Sequence, residues 1–414
     1  MFDIRKICAE SQNEKDDFVG LRFENGQPKV IFPRGFQLSE DEEQVRRDVI
    51  RLFAVIKRFS GKEQGNLSGS LDGELDVDFP ILSYQFLIQD FLANGYYIER
   101  ETRYTSGQRG KINWKQTIQK KKPVVSNGNI VYLDFIVKTN RINENNLLTR
   151  IHEYCVRESF EKLGWLYLAA DALPPKPDLP YDSRMFTAVL QEALNNTFHE
   201  RKRMLFTCML NIINGKEKMR SASDSAFGVK KFEVVWEGLL DFVFGEDNKS
   251  DYYPHAAWYI IKDKQSHTSS AMRPDTIMRY QDRIYILDAK YYKYGITLQP
   301  EDLPNTADVA KQIVYGECVQ NKTGCGDDQI YNAFLMPFAR QQASDPPYQF
   351  VSVATAQWKQ YDPSTPNYHY VLGILVDTRF LIEQHCRHNE SQILELSRLI
   401  EESLAAHQGS ASED

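Results

Sequence analysis

The chain has 414 residues, 42% of them hydrophobic and 26% charged, which is typical of a soluble globular protein with two or three domains. Its formal net charge of −7 excludes an overall basic nucleic-acid-binding surface but not a single basic face. The six cysteines form no CxxC pair, which favours reduced thiols over a zinc site. No signal peptide or membrane span is evident, so the sequence predicts a cytoplasmic protein without a membrane partner.

The N-terminal region, residues 1–172, is predicted to be an α+β domain that couples to a partner or contacts DNA. Ser39 is predicted to be the N-cap of its first helix. In chain order the region contains an amphipathic helix (39–59), a linker rich in Gly, Ser and Asp (61–80), a second helix (83–97), β structure with loops (96–140) and a further helix (146–169).

Four prolines within residues 172–182 mark a predicted boundary, after which residues 183–406 form the second domain. Residues 407–414 are predicted to be a disordered tail. The elements predicted after the boundary are helices at 183–213, 222–244, 306–319 and 388–405, a β-rich block from Tyr253, and strands at 330–338 and 368–378.

Residues 271–294 contain the candidate catalytic and metal-binding side chains. Asp275 precedes a short apolar segment, and after a polar turn an apolar strand leads into Asp288-Ala289-Lys290. Because side chains alternate along a strand, Asp288 and Lys290 should point the same way, with Asp275 beside them on the paired strand. Two carboxylates and the Ala289 backbone carbonyl are the oxygen ligands that Mg²⁺, or Mn²⁺ in its place, prefers. Lys290 would position a water or stabilise charge on the phosphate.

This pattern resembles the PD-(D/E)XK nuclease superfamily. The resemblance implies an α/β fold with a restriction-endonuclease-like core, in which a mixed central sheet is flanked by helices. It also implies a glutamate from the preceding helix. Glu233 and Glu237 lie on one helical face, and Glu237 is the preferred candidate for catalysis and metal binding.

Downstream, Lys311, Gln312 and Tyr315 resemble the Gln-Tyr helix that flanks the site in several such nucleases. Lys311 and Gln312 are therefore candidate DNA-binding residues. A plain amphipathic helix with solvated Lys and Gln side chains is the alternative interpretation.

A narrower resemblance covers roughly residues 75–400. The strings GKINWKQTI (110–118), VYLDFIV (131–137) and RIHEYCVRES (150–159), with YNAFLMPF and GILVDT, resemble the LlaJI family of restriction endonuclease subunits. That family is similar to McrC, the nuclease subunit that works with the GTP-hydrolysing AAA+ motor McrB. The resemblance implies a partner of that kind and a role in restricting foreign DNA.

The basic segment at 103–122 has three interpretations. Lys111 and Lys115 are candidate DNA-phosphate contacts, but the segment could instead face the motor or be a solvated loop. Trp114 is predicted to pack in the core. Since no P-loop is present, the chain is not expected to bind GTP by itself. His385, Cys386 and His388 lie close in sequence, but without acidic partners they do not predict a zinc site.

The sequence thus predicts a Mg²⁺-dependent endonuclease subunit that cuts double-stranded DNA. One such core cuts one strand, so a homodimer or a motor-assembled complex is expected. Two alternatives remain: a structure-specific repair or recombination nuclease that needs no motor, and a non-catalytic adaptor that stimulates an AAA+ GTPase. The DNA sequence recognised, the methylation preference, the cutting distance and the number of metal ions stay open.

Overall fold

The computed structural model describes residues 3–11, 18–24, 26–59, 75–77, 80–98, 100–126, 129–142, 146–167, 173–221, 225–262, 264–356, 365–384 and 389–411. Most of the predicted 61–80 linker and the His385–Cys386–His388 cluster lie outside these residues. The described strands are β1 (Cys8–Glu10), β2 (Val19–Glu24), β3 (Gln27–Phe32), β4 (Leu75–Val77), β5 (Arg100–Gly107), β6 (Lys111–Ile112), β7 (Val124–Ser126), β8 (Asn129–Val131), β9 (Phe135–Ile142), β10 (Ser225–Val229), β11 (Ala257–Ile260), β12 (Gln265–Thr268), β13 (Thr276–Tyr280), β14 (Arg283–Ala289), β15 (Ile330–Phe338), β16 (Tyr348–Thr355) and β17 (Tyr370–Asp377).

The described α-helices contain between four and 22 residues. Among the described residues none is long and apolar enough to span a membrane. They are α1 (Glu42–Phe59), α2 (Ile81–Asn94), α3 (Trp114–Lys120), α4 (Leu147–Leu163), α5 (Ser183–Asn195), α6 (Glu200–Ser221), α7 (Phe232–Phe244), α8 (Tyr294–Thr297), α9 (Thr306–Thr323), α10 (Thr378–Glu383) and α11 (Glu390–Ala411).

The chain divides into two compact units at points that differ from the predicted 1–172 and 183–406 domains. The first unit, called the middle unit here, contains residues 78–225, and the second, called the site unit, contains residues 3–77 and 226–414. The N-terminal residues join the site unit because β4 pairs with β10 and because Arg51 and Arg379 link α1 to α10 through ion pairs. The sequence did not reveal this long-range pairing.

The middle unit combines helices with small sheets. Its sheets have the orders β5-β9-β6 and β7-β8. On the helical side, Asp90 of α2 and Arg201 of α6 form a two-bonded ion pair with distances of 2.8 and 2.9 Å. The predicted mixture of helices and strands in this part of the chain is therefore confirmed.

The site unit is built on a five-stranded mixed sheet of order β13-β14-β15-β17-β16. The β14–β15 and β15–β17 pairs are parallel, and the two outer pairs are antiparallel. β15 is buried along its whole length, which explains its unbroken apolar sequence. A second sheet has the order β1-β3-β2-β10-β4. The predicted fold class, a mixed central sheet flanked by helices, is confirmed.

Alternation along β14 decides which helix covers each face of the sheet. Ile284 and Ile286 pack with Tyr315 and Val319 of α9. Tyr285 points to the opposite face, where its hydroxyl donates to Glu401 of α11. Asp288 has the same parity as Ile286, so the fold places it on the α9 face.

Two helix ends differ from prediction. Asp41, not Ser39, accepts hydrogen bonds from the first turn of α1, because the helix begins at Glu42. α11 continues to Ala411, so most of the predicted 407–414 tail is helical.

Candidate functional site

The β13–β14 hairpin positions the two predicted aspartates. Its turn consists of Gln281 and Asp282, since Tyr280 pairs with Arg283. At the open end Thr276 pairs with Leu287, so Asp275 and Asp288 are the next residues on the two paired chains. The hairpin thus delivers both carboxylates to one edge of the buried sheet, as the sequence pattern predicts.

Asp288 lies in a mainly buried cluster of charges. Its residue surface is 2% exposed. Lys290 Nζ lies 2.5 Å from its Oδ2, and Lys311 Nζ of α9 lies 3.6 Å from its Oδ1. Asp275 Oδ2 accepts a 2.8 Å hydrogen bond from the Ala289 amide. The structure therefore brings Asp275, Asp288, Lys290 and Lys311 together.

Asp308 is a member of this cluster that sequence reasoning missed. It is the third residue of α9 and forms a capping box with Asn305. Its Oδ1 lies 2.9 Å from Lys290 Nζ, and the Tyr292 hydroxyl donates to its Oδ2 at 3.3 Å. The Asn-x-x-Asp spacing before the helix was a usable signal for the cap, but not for the contact with Lys290.

The ion pairs fix the protonation state of Lys290. Burial acts to lower the pKa of Lys290, but Asp288 and Asp308 outweigh it and the net shift is upward. Burial likewise acts to raise the pKa of Asp308, but the bond from Lys290 leaves it below its usual value. Lys290 therefore carries a positive charge between its two carboxylate partners.

The structure separates the two glutamates of α7. Glu237 is partly buried, whereas Glu233 is exposed. Burial and the nearby charge of Asp288 raise the pKa of Glu237. Burial, Asp288 and Glu237 raise the pKa of Asp275 in the same way. Three acidic side chains therefore share one electrostatic environment, and Glu237 is the α7 carboxylate that belongs to it.

A second ion pair supports Asp275 from α7. Lys249 Nζ lies 2.7 Å from Asp241 Oδ2 and donates a 2.6 Å hydrogen bond to the Asp275 backbone carbonyl. Asp241 lies one helical turn beyond Glu237. The same helix thus contributes a carboxylate to the cluster and anchors the start of β13.

Gln312 and Tyr315 are buried, and both donate hydrogen bonds to backbone carbonyls. Gln312 is 0% exposed, and its amide donates to the Ile286 carbonyl at 2.7 Å. The Tyr315 hydroxyl donates to the Arg273 carbonyl at 2.8 Å. Gln312 has no surface to offer a phosphate, because its position on α9 faces the sheet. Lys311, one residue earlier, is partly buried and is the more accessible member of the predicted pair.

The remaining predicted DNA contacts lie in the middle unit. Lys111 and Lys115 are exposed there. Trp114 is 54% exposed, so the prediction of a core anchor is wrong. It packs edge-on against Tyr132 and Phe135, because α3 is too short to bury a face of its own.

The chemistry of the cluster fits a hard divalent cation. Asp288 is buried, and its Oδ2 and Oδ1 face the ammonium groups of Lys290 at 2.5 Å and Lys311 at 3.6 Å, with no other hydrogen-bond donor among the described residues. Within the described ranges, no three His, Cys, Asp or Glu side chains meet closely enough to hold a metal ion by themselves. A complete ligand set would therefore need the Ala289 carbonyl or substrate oxygens besides the carboxylates.

If this cluster hydrolyses DNA with Mg²⁺, as the sequence predicts, Glu237→Gln should lower cleavage about tenfold at limiting Mg²⁺, because residues that support a metal site typically contribute this much. Glu233→Gln makes the same chemical change one turn away on the exposed surface and should leave the rate unchanged. Initial rates across a Mg²⁺ titration would check this. Equal rates for the two variants would remove Glu237 from the site.

The chain resembles a described protein family over most of its length. The sequence profile of a family described as LlaJI restriction endonuclease matches residues 18–355. No curated protein gives a significant match. A refined half-complex from the tetradecameric assembly of Thermococcus gammatolerans McrB AAA+ hexamers with bound McrC is 18% identical, covers 87% of this chain and 77% of that chain, and has a TM-score of 0.36. The cryo-EM structure of the McrBC complex from the same organism is 21% identical over 53% of this chain and 63% of that chain, with a TM-score of 0.24.

Proposed function

The chain belongs to the LlaJI restriction endonuclease family, and from this premise we propose that it cuts double-stranded DNA at the Asp275–Asp288–Lys290 cluster as the nuclease subunit of a restriction system. One observation carries the proposal. Two carboxylates and an ion-paired lysine meet at the open end of the β13–β14 hairpin. This combination suits metal-assisted phosphodiester hydrolysis, because anionic side chains can hold the metal while a cation faces the phosphate.

Mg²⁺ is the proposed cofactor, with Mn²⁺ as a substitute. Asp275, Asp288 and the Ala289 carbonyl would hold it, and Glu237 would add a ligand or orient a bound water. When bound, it would polarise the scissile phosphate and supply a water of lowered pKa.

Three side chains around the metal site have different proposed roles. Lys290 keeps its proton and would stabilise negative charge that develops on the phosphate. Lys311 is 39% exposed and lies on the α9 side of Asp288, so it would bind a non-bridging phosphate oxygen. Asp308 would hold Lys290 in place from the first turn of α9.

We expect Asp308→Asn to lower the cleavage rate about tenfold or more, because a lysine released from one anchor samples other positions. The variant also weakens the helix cap. Asn305→Ala removes the cap, at about 1 kcal/mol, but keeps the Lys290 contact. Both variants should lose similar thermal stability, and only Asp308→Asn should lose activity. If Asn305→Ala is equally inactive, Asp308 serves the helix and not the site.

An AAA+ GTPase of the McrB type is the proposed partner. This part of the proposal rests on the resemblance of the GKINW region to the LlaJI family. It is supported by exposed apolar side chains in the middle unit, where Trp114, Ile118 and Leu133 are 54%, 60% and 65% exposed. Such side chains favour a protein contact.

The experiment that tests the function is cleavage of methylated and unmethylated plasmid with Mg²⁺, with and without the candidate GTPase and GTP. A restriction subunit should cut when the motor hydrolyses GTP and should stop when EDTA is added. Cutting without any motor would favour the repair nuclease. Stimulation of the GTPase without cutting would favour the adaptor.

A further inference from the structure

The β11–β12 hairpin has no buried face. All eight of its strand residues are exposed. Trp258, Tyr259 and Ile261 are 68%, 63% and 84% exposed. Because Trp258 and Tyr259 are adjacent in a strand, they point to opposite sides. A two-stranded hairpin is marginally stable when nothing covers it, so these side chains indicate a surface that a ligand covers.

Backbone hydrogen bonds between the two segments continue beyond the strands toward the candidate site. Beyond the strands, Ser269 donates to the Ala256 carbonyl at 2.8 Å and Met272 donates to the Pro254 carbonyl at 3.0 Å. The paired segment is about 20 Å long at the usual rise per residue. Three residues after Met272 the chain reaches Asp275, so the arm is joined directly to the cluster.

The charge of the arm is positive. Residues 254–274 contain Lys262, Lys264 and Arg273 but a single acidic residue, Asp263. The three cations are exposed, and none forms an ion pair with a described acidic residue. Lys262 and Lys264 lie in the turn, and Arg273 lies two residues before Asp275. Cations without an ion pair to a described acidic residue, on a chain of net charge −7, favour a polyanion over another copy of the chain.

A groove leads from the arm to α7. Its volume is about 1700 Å³, and its walls carry four cations and four carboxylates: Arg58, Lys249, Arg273 and Arg279, and Asp241, Glu246, Asp247 and Asp251. The Arg273 guanidinium lies 6.0 Å from the centre of the Tyr253 ring. The groove therefore joins the base of the arm, at His255, Ser269 and Arg273, to the Gly238 side of α7.

From these observations we infer that the β11–β12 hairpin is a DNA-contacting arm, in which Lys262 and Lys264 bind phosphates and Trp258 and Tyr259 stack on exposed bases. The inference rests on the proposed function, because it assigns to the same substrate a contact outside the cluster. Lysine contacts supply salt-dependent affinity, and aromatic contacts supply affinity for unstacked bases.

The test measures the affinity of the protein for a 30-base-pair duplex and for a single strand of equal length. Fluorescence anisotropy of the labelled DNA gives each affinity over a series of salt concentrations. Every protein carries Asp288→Asn so that the probes stay intact. K262Q/K264Q should bind the duplex about tenfold more weakly, and its log–log salt slope should fall by about 1.8, or 0.9 for each lost contact. W258A/Y259A should bind the single strand at least about fivefold more weakly.

Matched controls come from the middle unit. K176Q/R184Q removes the same charge from exposed positions, and Phe198→Ala removes an aromatic side chain that is 92% exposed. Duplex affinity of K262Q/K264Q equal to that of K176Q/R184Q would overturn the inference. The inference would also be overturned if the arm variants bound DNA as tightly as before but had a changed sedimentation coefficient, because the arm would then be a protein interface. If the arm variants lose DNA binding but the unmodified chain cuts no DNA, the arm stands and the proposed nuclease function fails.

Discussion

Asp288→Asn is expected to reduce DNA cleavage by about 10³-fold or more, the effect of losing a charge that holds a catalytic metal ion. The buried carboxylate lies between the ammonium groups of Lys290 and Lys311. Asparagine keeps the shape but removes the charge. It also relieves repulsion with Asp275, so stability should change much less than activity.

Asp282→Asn is the matched control for Asp288→Asn. Asp282 lies in the turn at the other end of the same hairpin, where it is exposed and accepts from Gln329 at 2.8 Å. Plasmid cleavage rates and thermal unfolding midpoints would be measured for both variants. The site assignment fails if Asp288→Asn still cuts at a rate near that of Asp282→Asn.

Lys290→Met is expected to reduce the cleavage rate by about 10²- to 10³-fold, which is typical when a preorganised group that stabilises transition-state charge is removed. Lys290 is only 12% exposed and is held by Asp288 and Asp308. Its raised pKa means that the charge persists through neutral pH, so the loss should be seen throughout that range.

Lys311→Met provides the comparison for Lys290→Met. Lys311 is more exposed and lies farther from Asp288, at 3.6 Å. It should affect KM for DNA more than kcat, because it would bind substrate in the ground state as well as in the transition state. If the two variants lower kcat equally, Lys290 has no special role. Lys290→Arg should restore part of kcat if the positive charge is what matters.

The sequence predicted the central elements of the site unit well because their patterns are local. The apolar run of β15 and the polar turn between β13 and β14 each specify one structure over a short stretch. The alternation that puts Asp288 beside Lys290 is equally local. The family resemblance then extended these patterns to most of the chain.

Long-range contacts were not predictable in the same way. Nothing in residues 3–77 shows that β4 pairs with β10, because pairing partners distant in sequence leave no periodic signal. The Lys249 side chain donates a hydrogen bond to the Asp275 carbonyl. The carboxylate of Asp308, in the first turn of α9, forms an ion pair with Lys290. Each contact depends on where the fold brings two separate segments.

Two side chains had misleading patterns. The residues around Gln312 in the sequence suggest a phosphate-binding role. Its position on α9, however, directs its side chain toward β14. Trp114 resembles a core residue by its size, but α3 has only seven residues and leaves it 54% exposed. In both cases residue type suggested a role that the packing of the element did not allow.

The central claim is that Asp275 and Asp288 bind a divalent metal ion at the open end of the hairpin. Fe²⁺-directed hydroxyl-radical cleavage of the protein tests it most directly, because radicals formed at the metal cut the nearest backbone. We predict cuts near residues 275 and 288–290 that excess Mg²⁺ suppresses and that Asp288→Asn abolishes. Cuts that fall elsewhere, or that persist unchanged in Asp288→Asn, would contradict the claim.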